Sequence, residues 1–359
     1  MPVIWAAISG HGYGHAAQIV PVLNALGRLV PGLTVVLRTT VPESFFRNRL
    51  RIPWTLQSVQ QDVGCVQRGP LQIDVLATWK AHDDFHAQWD QRMRQEVEAI
   101  RSAAPQVIVA DTPYLALSAG SEAGVPTVCL ATFTWHEILR ALAGPSLDSH
   151  QPLLGEIEQS YASADSALRI APGLPLSPIR NVMDVGPIAE PAQPCREAVR
   201  KSLGIPDSER LVLIGFGGIP LTSLPWDAMD RMHGYRFIVD EPMPSPSSKI
   251  LSLQSLPYSF KTLLASVDIV MTKPGYGTIM EAVAAEIPVV YVRRYNFADE
   301  QPLVDFLGRY GRSSQLSLED FHMGRWLPAY EAIQRHRDPL KPPSCTGARD
   351  AAAHLAKFF

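Results

Sequence analysis

The residues best suited to chemistry lie in one short segment of the second half of the chain, residues 273–281. The mostly apolar run 268–271 before it is typical of a buried parallel strand, and the composition of 278–286 is typical of a helix. A glycine-containing turn between them exposes backbone amides beside the positive end of the helix. Lys273 adds a cation at the same point. These features predict a site for an anionic phosphate.

Further side chains of this turn and helix suit a nucleotide. Thr278 supplies a hydroxyl next to the phosphate, and Glu281 lies three residues later on the same helix face. A carboxylate just beyond a phosphate site is well placed to accept hydrogen bonds from ribose hydroxyls. We therefore predict that a nucleotide diphosphate binds at Lys273, Gly275, Gly277, Thr278 and Glu281.

A second glycine-containing turn lies near the N-terminus and carries histidines. Residues 3–9 read as a strand, and residues 10–15, GHGYGH, follow directly before a helix. A dinucleotide-binding fingerprint needs a glycine where His15 stands, and the second strand ends in residues 38–40, RTT, rather than in an acid for the ribose. We therefore reject dinucleotide binding in the first half and assign the nucleotide to the second half.

Strands and helices alternate along both halves of the chain, which predicts an α/β fold. The expected architecture is two doubly wound parallel-sheet (Rossmann-like) domains that face a central cleft. Such sheets bind ligands at the carboxyl ends of their strands. Four turns meet this condition, at residues 10–15, 111–113, 215–218 and 273–278. One long helix is expected over 81–103.

Composition along the chain predicts the domain boundaries. A first domain is expected over 1–172, followed by a proline-rich linker over 173–207 that contains a short extended piece at 182–186. The second domain, which would bind the nucleotide, covers 208–342. The last segment, 343–359, has an amphipathic pattern and is expected to form a helix, for which packing against the first domain is left open.

Overall composition restricts the class of protein. Apolar residues make up 46% of the chain and charged residues 19%, which is typical of a globular enzyme. The net charge of −3, with both signs interspersed, argues against nucleic acid as a partner. The four cysteines form no CxxC pair, so we expect neither disulfides nor a zinc site, and a reducing, cytoplasmic location. We expect no signal peptide and no membrane-spanning segment, while peripheral membrane contact stays open.

The segment 273–281, together with Glu300-Gln301, resembles the donor signature of the GT-B fold glycosyltransferases, the UDP-glycosyltransferase and MurG-like superfamily. Gly277 stands where the plant and animal enzymes have asparagine, and Gly14-His15 resembles the Gly-His pair near the N-terminus of these enzymes. The basic, glycine, aromatic, hydroxyl and acidic places of the signature are occupied by Lys273, Gly275, Tyr276, Thr278 and Glu281.

The resemblance implies an enzyme that moves a hexosyl or N-acetylhexosaminyl group from a nucleotide sugar, with a UDP-sugar favoured, to an acceptor hydroxyl. The acceptor would be a small molecule, a glycan or a lipid. Transfer is expected to be inverting and to need no metal or other cofactor, because Lys273 and helix dipoles offset the charge of the leaving diphosphate. The pair Asp83-Asp84 is accordingly read as a helix start rather than as a metal-binding DxD motif.

The same resemblance suggests the catalytic pair. His15 is the expected general base, and His11 in the same loop is the alternative. Asp111 would orient the imidazole of His15, as the His–Asp pair does in the UDP-glycosyltransferases, although a helix N-cap is an equally open interpretation. Gly12 and Gly14 complete the acceptor-side loop with His11.

Other residues carry weaker assignments. Gly217 and Gly218 are expected to bring the backbone close to the diphosphate, and a simple tight turn is the alternative. Glu300 and Gln301 are expected to hold sugar hydroxyls, and an ordinary acidic helix start is the alternative. The tryptophans that could line an acceptor cleft, or equally belong to the core, are Trp79, Trp89 and Trp135.

Two other functions fit the same fold. A nucleotide-sugar epimerase or hydrolase, similar to the UDP-GlcNAc 2-epimerases, would need further acidic residues near the sugar, and the sequence does not identify them. A non-catalytic nucleotide-sugar-binding protein would keep the donor site without turnover. The run GHGYGH also resembles the N-terminal part of the L-arabinokinases, but no kinase module is apparent in the sequence.

Overall fold

The computed structural model describes residues 1–217, 221, 224–335 and 338–359. Within these residues each half of the chain builds its own parallel sheet. The strands of the first sheet are β1 (Val3–Ile8), β2 (Thr34–Arg38), β3 (Trp54–Gln57), β4 (Val107–Asp111), β5 (Thr127–Ala131), β6 (Ser166–Ile170) and β7 (Val182–Val185). They lie in the order β3-β2-β1-β4-β5-β6-β7. The helices of this half are α1 (Gly14–Leu29), α2 (Glu43–Phe46), α3 (Val75–His86), α4 (Trp89–Ala103), α5 (Tyr114–Ala123), α6 (Trp135–Ala143) and α7 (Leu147–Ala162).

The second sheet has the same parallel design, with its six strands in the order β10-β9-β8-β11-β12-β13 among the described residues. These strands are β8 (Arg210–Ile214), β9 (Tyr235–Val239), β10 (Ile250–Ser252), β11 (Ile269–Thr272), β12 (Val289–Tyr291) and β13 (Ser313–Gln315). The remaining helices are α8 (Arg196–Ser202), α9 (Trp226–Arg231), α10 (Phe260–Leu264), α11 (Tyr276–Ala284), α12 (Glu300–Tyr310), α13 (Leu318–Met323), α14 (Leu327–Gln334) and α15 (Gly347–Leu355). The predicted fold class, two doubly wound parallel sheets, is confirmed.

The apolar strands are buried on both faces, as parallel sheets require. In β1, Ile4 and Ile8 pack with α1 on one face of the sheet, whereas Trp5 packs into the core on the other face. Alternate side chains of one strand therefore belong to two different cores. This explains why the sequence of β1 is continuously apolar instead of alternating.

Arg38, which ends β2, is part of a buried polar network rather than of a ribose site. Its guanidinium pairs with Glu96 of α4, and both side chains are almost completely buried. The Glu96 carboxylate also accepts hydrogen bonds from Trp5 Nε1 at 3.2 Å and Gln61 Nε2 at 3.0 Å. Because each charge has several partners, the network satisfies two ions that would be costly to bury alone.

The expected helix over 81–103 is wrong in its extent, since this region contains two helices. The first begins at residue 75, where the side chain of Asp74 accepts a hydrogen bond from the Ala77 amide and so caps the helix. The chain leaves helical geometry at Gln88, and α4 starts at Trp89. This break lets the rings of His86 and Trp89 stack with their centroids 5.0 Å apart.

The segment expected to be a linker, 173–207, contains regular structure. Strand β7 pairs in parallel with β6 and completes the first sheet at its edge. Helix α8 packs through Val199 into a core of the second sheet. The first sheet thus extends beyond residue 172. The sequence did not indicate this, because a four-residue edge strand, VMDV, lacks the long apolar run that marks central strands.

The C-terminal helix returns to the first domain. Ala351, Ala352 and Leu355 of α15 are fully buried in the core that contains α1. The backbone approaches closely where this crossing begins, since a Cβ on Gly347 would lie 2.0 Å from the carbonyl oxygen of Gly186. A glycine is therefore required at that position.

Two contacts join the carboxyl ends of the sheets. The Tyr276 hydroxyl, at the start of α11, donates to the Ala171 carbonyl and accepts from the Ile188 amide, each at 2.9 Å. Phe297, which follows β12, inserts into a core of the first domain beside Phe133. The turns after the strands of both sheets consequently face one another. Within the described ranges, no helix combines the length and apolarity needed to cross a bilayer.

Candidate functional site

The turns of both domains enclose a cavity of about 200 Å³. It lies at the carboxyl ends of the strands, where parallel α/β sheets bind ligands. Ten residues singled out in the sequence line it: His11, Gly12, Gly14, His15, Gly217, Lys273, Gly275, Tyr276, Gly277 and Thr278. A larger hollow of about 820 Å³ lies on the outer face of the first domain, near Trp89 and Glu156. Of the residues singled out in the sequence, Trp89 lines that hollow, whereas ten line the smaller cavity, so we regard the smaller cavity as the candidate site.

His15 and Asp111 form a buried pair at one end of this cavity. Nδ1 of His15 lies 2.9 Å from Oδ1 of Asp111, and the carboxylate is completely buried. Adjacent strands create the contact, since Ile8 at the end of β1 is the partner of Asp111 at the end of β4. Helix α5 begins after Pro113 without any side-chain cap, so the structure does not support the helix-cap interpretation of Asp111.

The surroundings of His15 stabilise its protonated form more than water does. Burial alone lowers the pKa of His15, but the charge and hydrogen bond of Asp111, with smaller contributions from Asp62 and Asp299, outweigh it and raise the pKa above its usual value. Since Nδ1 donates to Asp111, Nε2 is the atom that gains or loses the proton. His15 thus has the geometry of an oriented base.

His11 is a poorer base. Burial, the charge of His15 and the charge of Arg294 lower its pKa to about 3. Its Nε2 lies 2.9 Å from the Cys65 carbonyl oxygen, to which the neutral ring donates. The ring is also wedged against Gly64, where a Cβ would lie 2.7 Å from it. A base with so low a pKa has little driving force near neutral pH, and this favours His15 over His11.

The opposite end of the cavity has the features of an anion site. Gly275 caps α11, and the first intrahelical bond runs from the Ile279 amide to the Gly275 carbonyl. The amides of residues 276–278 therefore have no partner within the helix, and the positive end of its dipole is directed to the same place. Gly217 has a φ of +78°, which suits glycine, and a Cβ there would contact Lys273. Gly218 lies outside the described residues.

Lys273, beside these amides, has an unusually low pKa for a lysine. Its side chain is largely buried, and burial lowers its pKa to about 7, assisted by the charge of Arg294 and opposed by Glu300 and Asp299. An incoming anion would favour the protonated form. The site is thus prepared to become more positive when a negatively charged ligand enters.

Tyr276 has a different role from the rest of the predicted donor set. Its ring lines the cavity, while its buried hydroxyl makes the two hydrogen bonds that connect α11 to the first domain. Burial raises the pKa of this hydroxyl, so it stays protonated and can donate. The aromatic residue therefore fixes the position of the helix start relative to His15.

Three predicted acidic or amide residues lie outside the cavity lining. The carboxylate of Glu281 pairs with Lys261 Nζ at 2.7 Å. Glu300 is completely buried and accepts from the backbone amide and Nε of Arg294 at 3.0 and 2.5 Å. Gln301 is exposed and bonds to neighbouring side chains. The expectation that Glu300 and Gln301 contact a sugar in the cavity therefore finds no support in this geometry.

Asp299 is the acid that lines the cavity instead, and the sequence analysis missed it. Its Oδ1 is buried and has no hydrogen-bond partner among the described residues. Burial raises its pKa to about 7, against the lowering effect of Arg294. Asp299 is the N-cap of α12 and directly precedes Glu300, so composition alone did not indicate which acid would turn towards the cavity. The other lining residues missed were Tyr13, Gln18, Gln67, Thr132, Phe133, Arg294 and Phe297.

A second buried acid, Asp62, lies close to the two histidines, and its charge contributes to the raised pKa of His15. It accepts hydrogen bonds from Trp135 Nε1 at 2.8 Å and from Ser9 Oγ at 2.9 Å. The Trp135 ring is fully buried, with its centroid 5.1 Å from that of His11 and 6.2 Å from that of His15. None of the three tryptophan candidates is among the residues that line the cavity: Trp135 packs behind the two histidines, Trp79 stacks on His150, and Trp89 borders the outer hollow.

Comparison with solved structures identifies the fold. The calicheamicin glycosyltransferase CalG4 superposes with a TM-score of 0.66 at 18% identity, covering 99% of this chain and 97% of that one. The glycosyltransferase of kitacinnamycin gives 0.66 at 13%, covering 100% and 99%. UGT2 of Phytolacca americana, solved with UDP-2-fluoro-glucose and pterostilbene, gives 0.58 at 14%, covering 99% and 94%. The chain has the GT-B fold of the UDP-glycosyltransferase-like enzymes, as the sequence resemblance predicted.

Sequence comparison adds one curated relative. The L-arabinokinase of Arabidopsis thaliana is 28% identical over 332 residues, which cover 90% of this chain and 31% of the relative. The chain thus spans about a third of the length of that protein. No model of a known protein family matches the chain.

The His15–Asp111 pair gives the first prediction. In an Asp111→Asn variant the pKa of His15 should fall, because burial then acts without the opposing carboxylate charge. Histidine nitrogen NMR across a pH titration measures this value, with His15→Gln used to assign the resonance. Asp84→Asn, at an exposed position on α3, should leave it unchanged. A His15 that titrates at the same pH in both variants would show that Asp111 does not set its protonation.

Proposed function

We propose that this chain transfers a sugar from a nucleotide diphosphate sugar, with UDP as the nucleotide, to the hydroxyl group of an acceptor. One observation carries the proposal. A buried histidine–carboxylate pair of the first domain shares a cavity with the cation and unpaired helix amides of the second domain. One side suits deprotonation of a hydroxyl, and the other suits a departing diphosphate.

The reaction follows from this placement. Nε2 of neutral His15 takes the proton of the acceptor hydroxyl while the hydroxyl oxygen attacks the anomeric carbon of the donor. The bond between that carbon and the diphosphate oxygen breaks on the opposite face, and the electron pair leaves with the diphosphate. A single displacement of this kind inverts the anomeric centre. Asp111 holds the imidazole in place and stabilises the imidazolium that forms.

The second domain would stabilise the leaving group. Protonated Lys273 and the amides of residues 276–278 supply positive potential where negative charge develops, in a site that excludes much of the water. Metal-independent transfer is part of the proposal, because these groups provide the charge stabilisation that a metal would otherwise give. Glu281 would bind the ribose only if its carboxylate shared its hydrogen bonds between the sugar and Lys261.

The named neighbours support this class of reaction. CalG4 is a glycosyltransferase, and the structure of UGT2 contains a UDP-sugar analogue, which makes UDP the first nucleotide to test. The transferred group is a hexosyl or an N-acetylhexosaminyl group, and a panel of UDP-sugars distinguishes the two. Kinase activity is not proposed for this chain, because the match to the arabinokinase covers 31% of that protein.

Release of UDP from a panel of UDP-sugars, with and without acceptors, tests the function. We expect release that depends on acceptor, and a His15→Ala variant with turnover roughly 10²–10⁴-fold lower and unchanged donor affinity by calorimetry. His322→Ala, on the exposed face of α13, is the matched control. Equal release without acceptor would indicate a hydrolase, and donor binding without any turnover would indicate a binding protein. Turnover that survives in His15→Ala would assign the base elsewhere.

Lys273 predicts a pH dependence of donor binding. Because the pKa of Lys273 is about 7, the side chain is increasingly neutral as the pH rises, so binding of an anionic donor is coupled to uptake of a proton from the buffer. UDP-glucose affinity should therefore fall between about pH 6 and pH 8.5, with proton uptake measurable in buffers of different ionisation enthalpy. In Lys273→Arg the dependence should be smaller, because arginine stays charged. An identical dependence in wild type and Lys273→Arg would contradict this role.

A further inference from the structure

Three polar atoms around the cavity have no hydrogen-bond partner among the described residues. They are Oε1 of Gln18, Oε1 of Gln67 and Oδ1 of Asp299, and all three side chains line the same space. Gln18 is 6% exposed, so water reaches it poorly. A buried acceptor left without a donor costs about 1–3 kcal/mol, so three such atoms around one cavity indicate that a ligand supplies hydrogen bonds there.

The positions of these atoms link them to the base more than to the phosphate site. Gln18 lies on α1, one helical turn after His15. Gln67 lies in the loop between β3 and α3, where its Nε2 is 3.1 Å from Nε2 of His11. Both belong to the first domain, whereas Lys273 and the free amides belong to the second. Asp299, the third residue of the group, belongs to the second domain. A ligand that binds to these three side chains would therefore lie beside His15.

The orientation of the Gln67 amide does not change this conclusion. Its Nε2 is placed 3.1 Å from Nε2 of His11, the atom that donates to the Cys65 carbonyl. Turning the amide by 180° would put its oxygen towards the His11 proton and its NH₂ group in the place of the unpartnered oxygen. In either orientation one polar atom of Gln67 lacks a partner. The residue can thus accept from or donate to a hydroxyl group.

Charge and size narrow the ligand. Acceptor oxygens suit hydroxyl donors. Arg294 also lines the cavity, but its guanidinium is already paired with Asp299 at 3.8 Å and with Glu300 at 2.5 Å, so its charge does not require an anionic ligand.

The cavity has about 200 Å³ in total and includes the turn of Lys273 as well as His15, so the space beside His15 is well below the roughly 300–1,000 Å³ typical of pockets for drug-sized ligands. Phe297 of the second domain packs against Phe133, with ring centroids 6.0 Å apart, and so limits the space next to His15. A compact ring with hydroxyls at its edge fits these limits better than an extended planar molecule.

We infer that the acceptor is a small, neutral, polyhydroxylated molecule, such as a free monosaccharide or a cyclic polyol, bound through its hydroxyls by Gln18, Gln67 and Asp299. This inference rests on the proposed function and adds the acceptor class to it. The aromatic walls would pack against the apolar C–H face of the ring, and His15 would take the proton of the hydroxyl nearest to it.

The experiment compares two acceptor classes with the UDP-sugar panel. Neutral monosaccharides and cyclic polyols should raise UDP release, whereas planar phenols of flavonol size should not. Gln18→Leu and Gln67→Leu should each raise KM for the sugar acceptor about tenfold or more, with the Kd of the UDP-sugar changed by less than about twofold. Gln334→Leu, at an exposed position of α14, should change neither value.

A stability measurement separates ligand binding from a structural role. The side chain of Gln18 makes no hydrogen bond to the described residues, so Gln18→Leu should keep or raise Tm while it raises the acceptor KM. A fall in Tm with KM unchanged would show that the residue is structural and would overturn the inference. Stimulation by phenols but not by sugars would also overturn it. Variants that weaken UDP-sugar binding and leave KM for the acceptor unchanged would assign these residues to the donor sugar.

The proposed function can fail separately. If no UDP-sugar binds to the wild-type chain, the donor site is wrong, and the inference is lost with it. If UDP-sugars bind and phenols alone are glycosylated, the proposed function stands and only the acceptor class is wrong.

Discussion

The hydroxyl of Tyr276 makes the contact on which the arrangement of the site depends. By donating to the carbonyl of Ala171 and accepting from the amide of Ile188, it holds the start of α11 against the first domain. Each bond contributes only about 1 kcal/mol, but both fix direction as well as distance. Lys273 and His15 belong to separate sheets, and they line one cavity because these two domains meet at this point. Phe297 reinforces the contact by packing between the domains.

Burial in the cavity shifts the pKa values of the ionisable side chains that line it. Lys273 and Asp299 both have a pKa of about 7, and each shift arises chiefly from burial. His15 keeps its proton more tightly than a free histidine because Asp111 is buried beside it. Perturbed pKa values of this kind cluster where a protein prepares for charge that a ligand brings or a reaction creates. The burial that makes these states costly also strengthens their interaction with a ligand.

The sequence was sufficient for the parallel sheets and for the turns at their carboxyl ends that carry His15 and Lys273, because these depend on local pattern. It was insufficient where tertiary packing decides. Composition at the start of α12 indicated Glu300, but pairing with Arg294 buries that residue and leaves Asp299 facing the cavity. Gln18 belongs to no motif, and its role depends on which face of α1 the cavity covers. Strand β7 was read as linker because short edge strands carry little apolar signal.

The most direct test of the account is a crystal structure of the chain with UDP bound. We predict that oxygens of the diphosphate lie within hydrogen-bond distance of the amides of Gly277 and Thr278 and of Nζ of Lys273, with His15 across the cavity. Such a position would join the anion site of the second domain to the base of the first. UDP bound instead at the glycine turn of residues 10–14, or in the outer hollow beside Trp89, would contradict the assignment of the donor to the second domain.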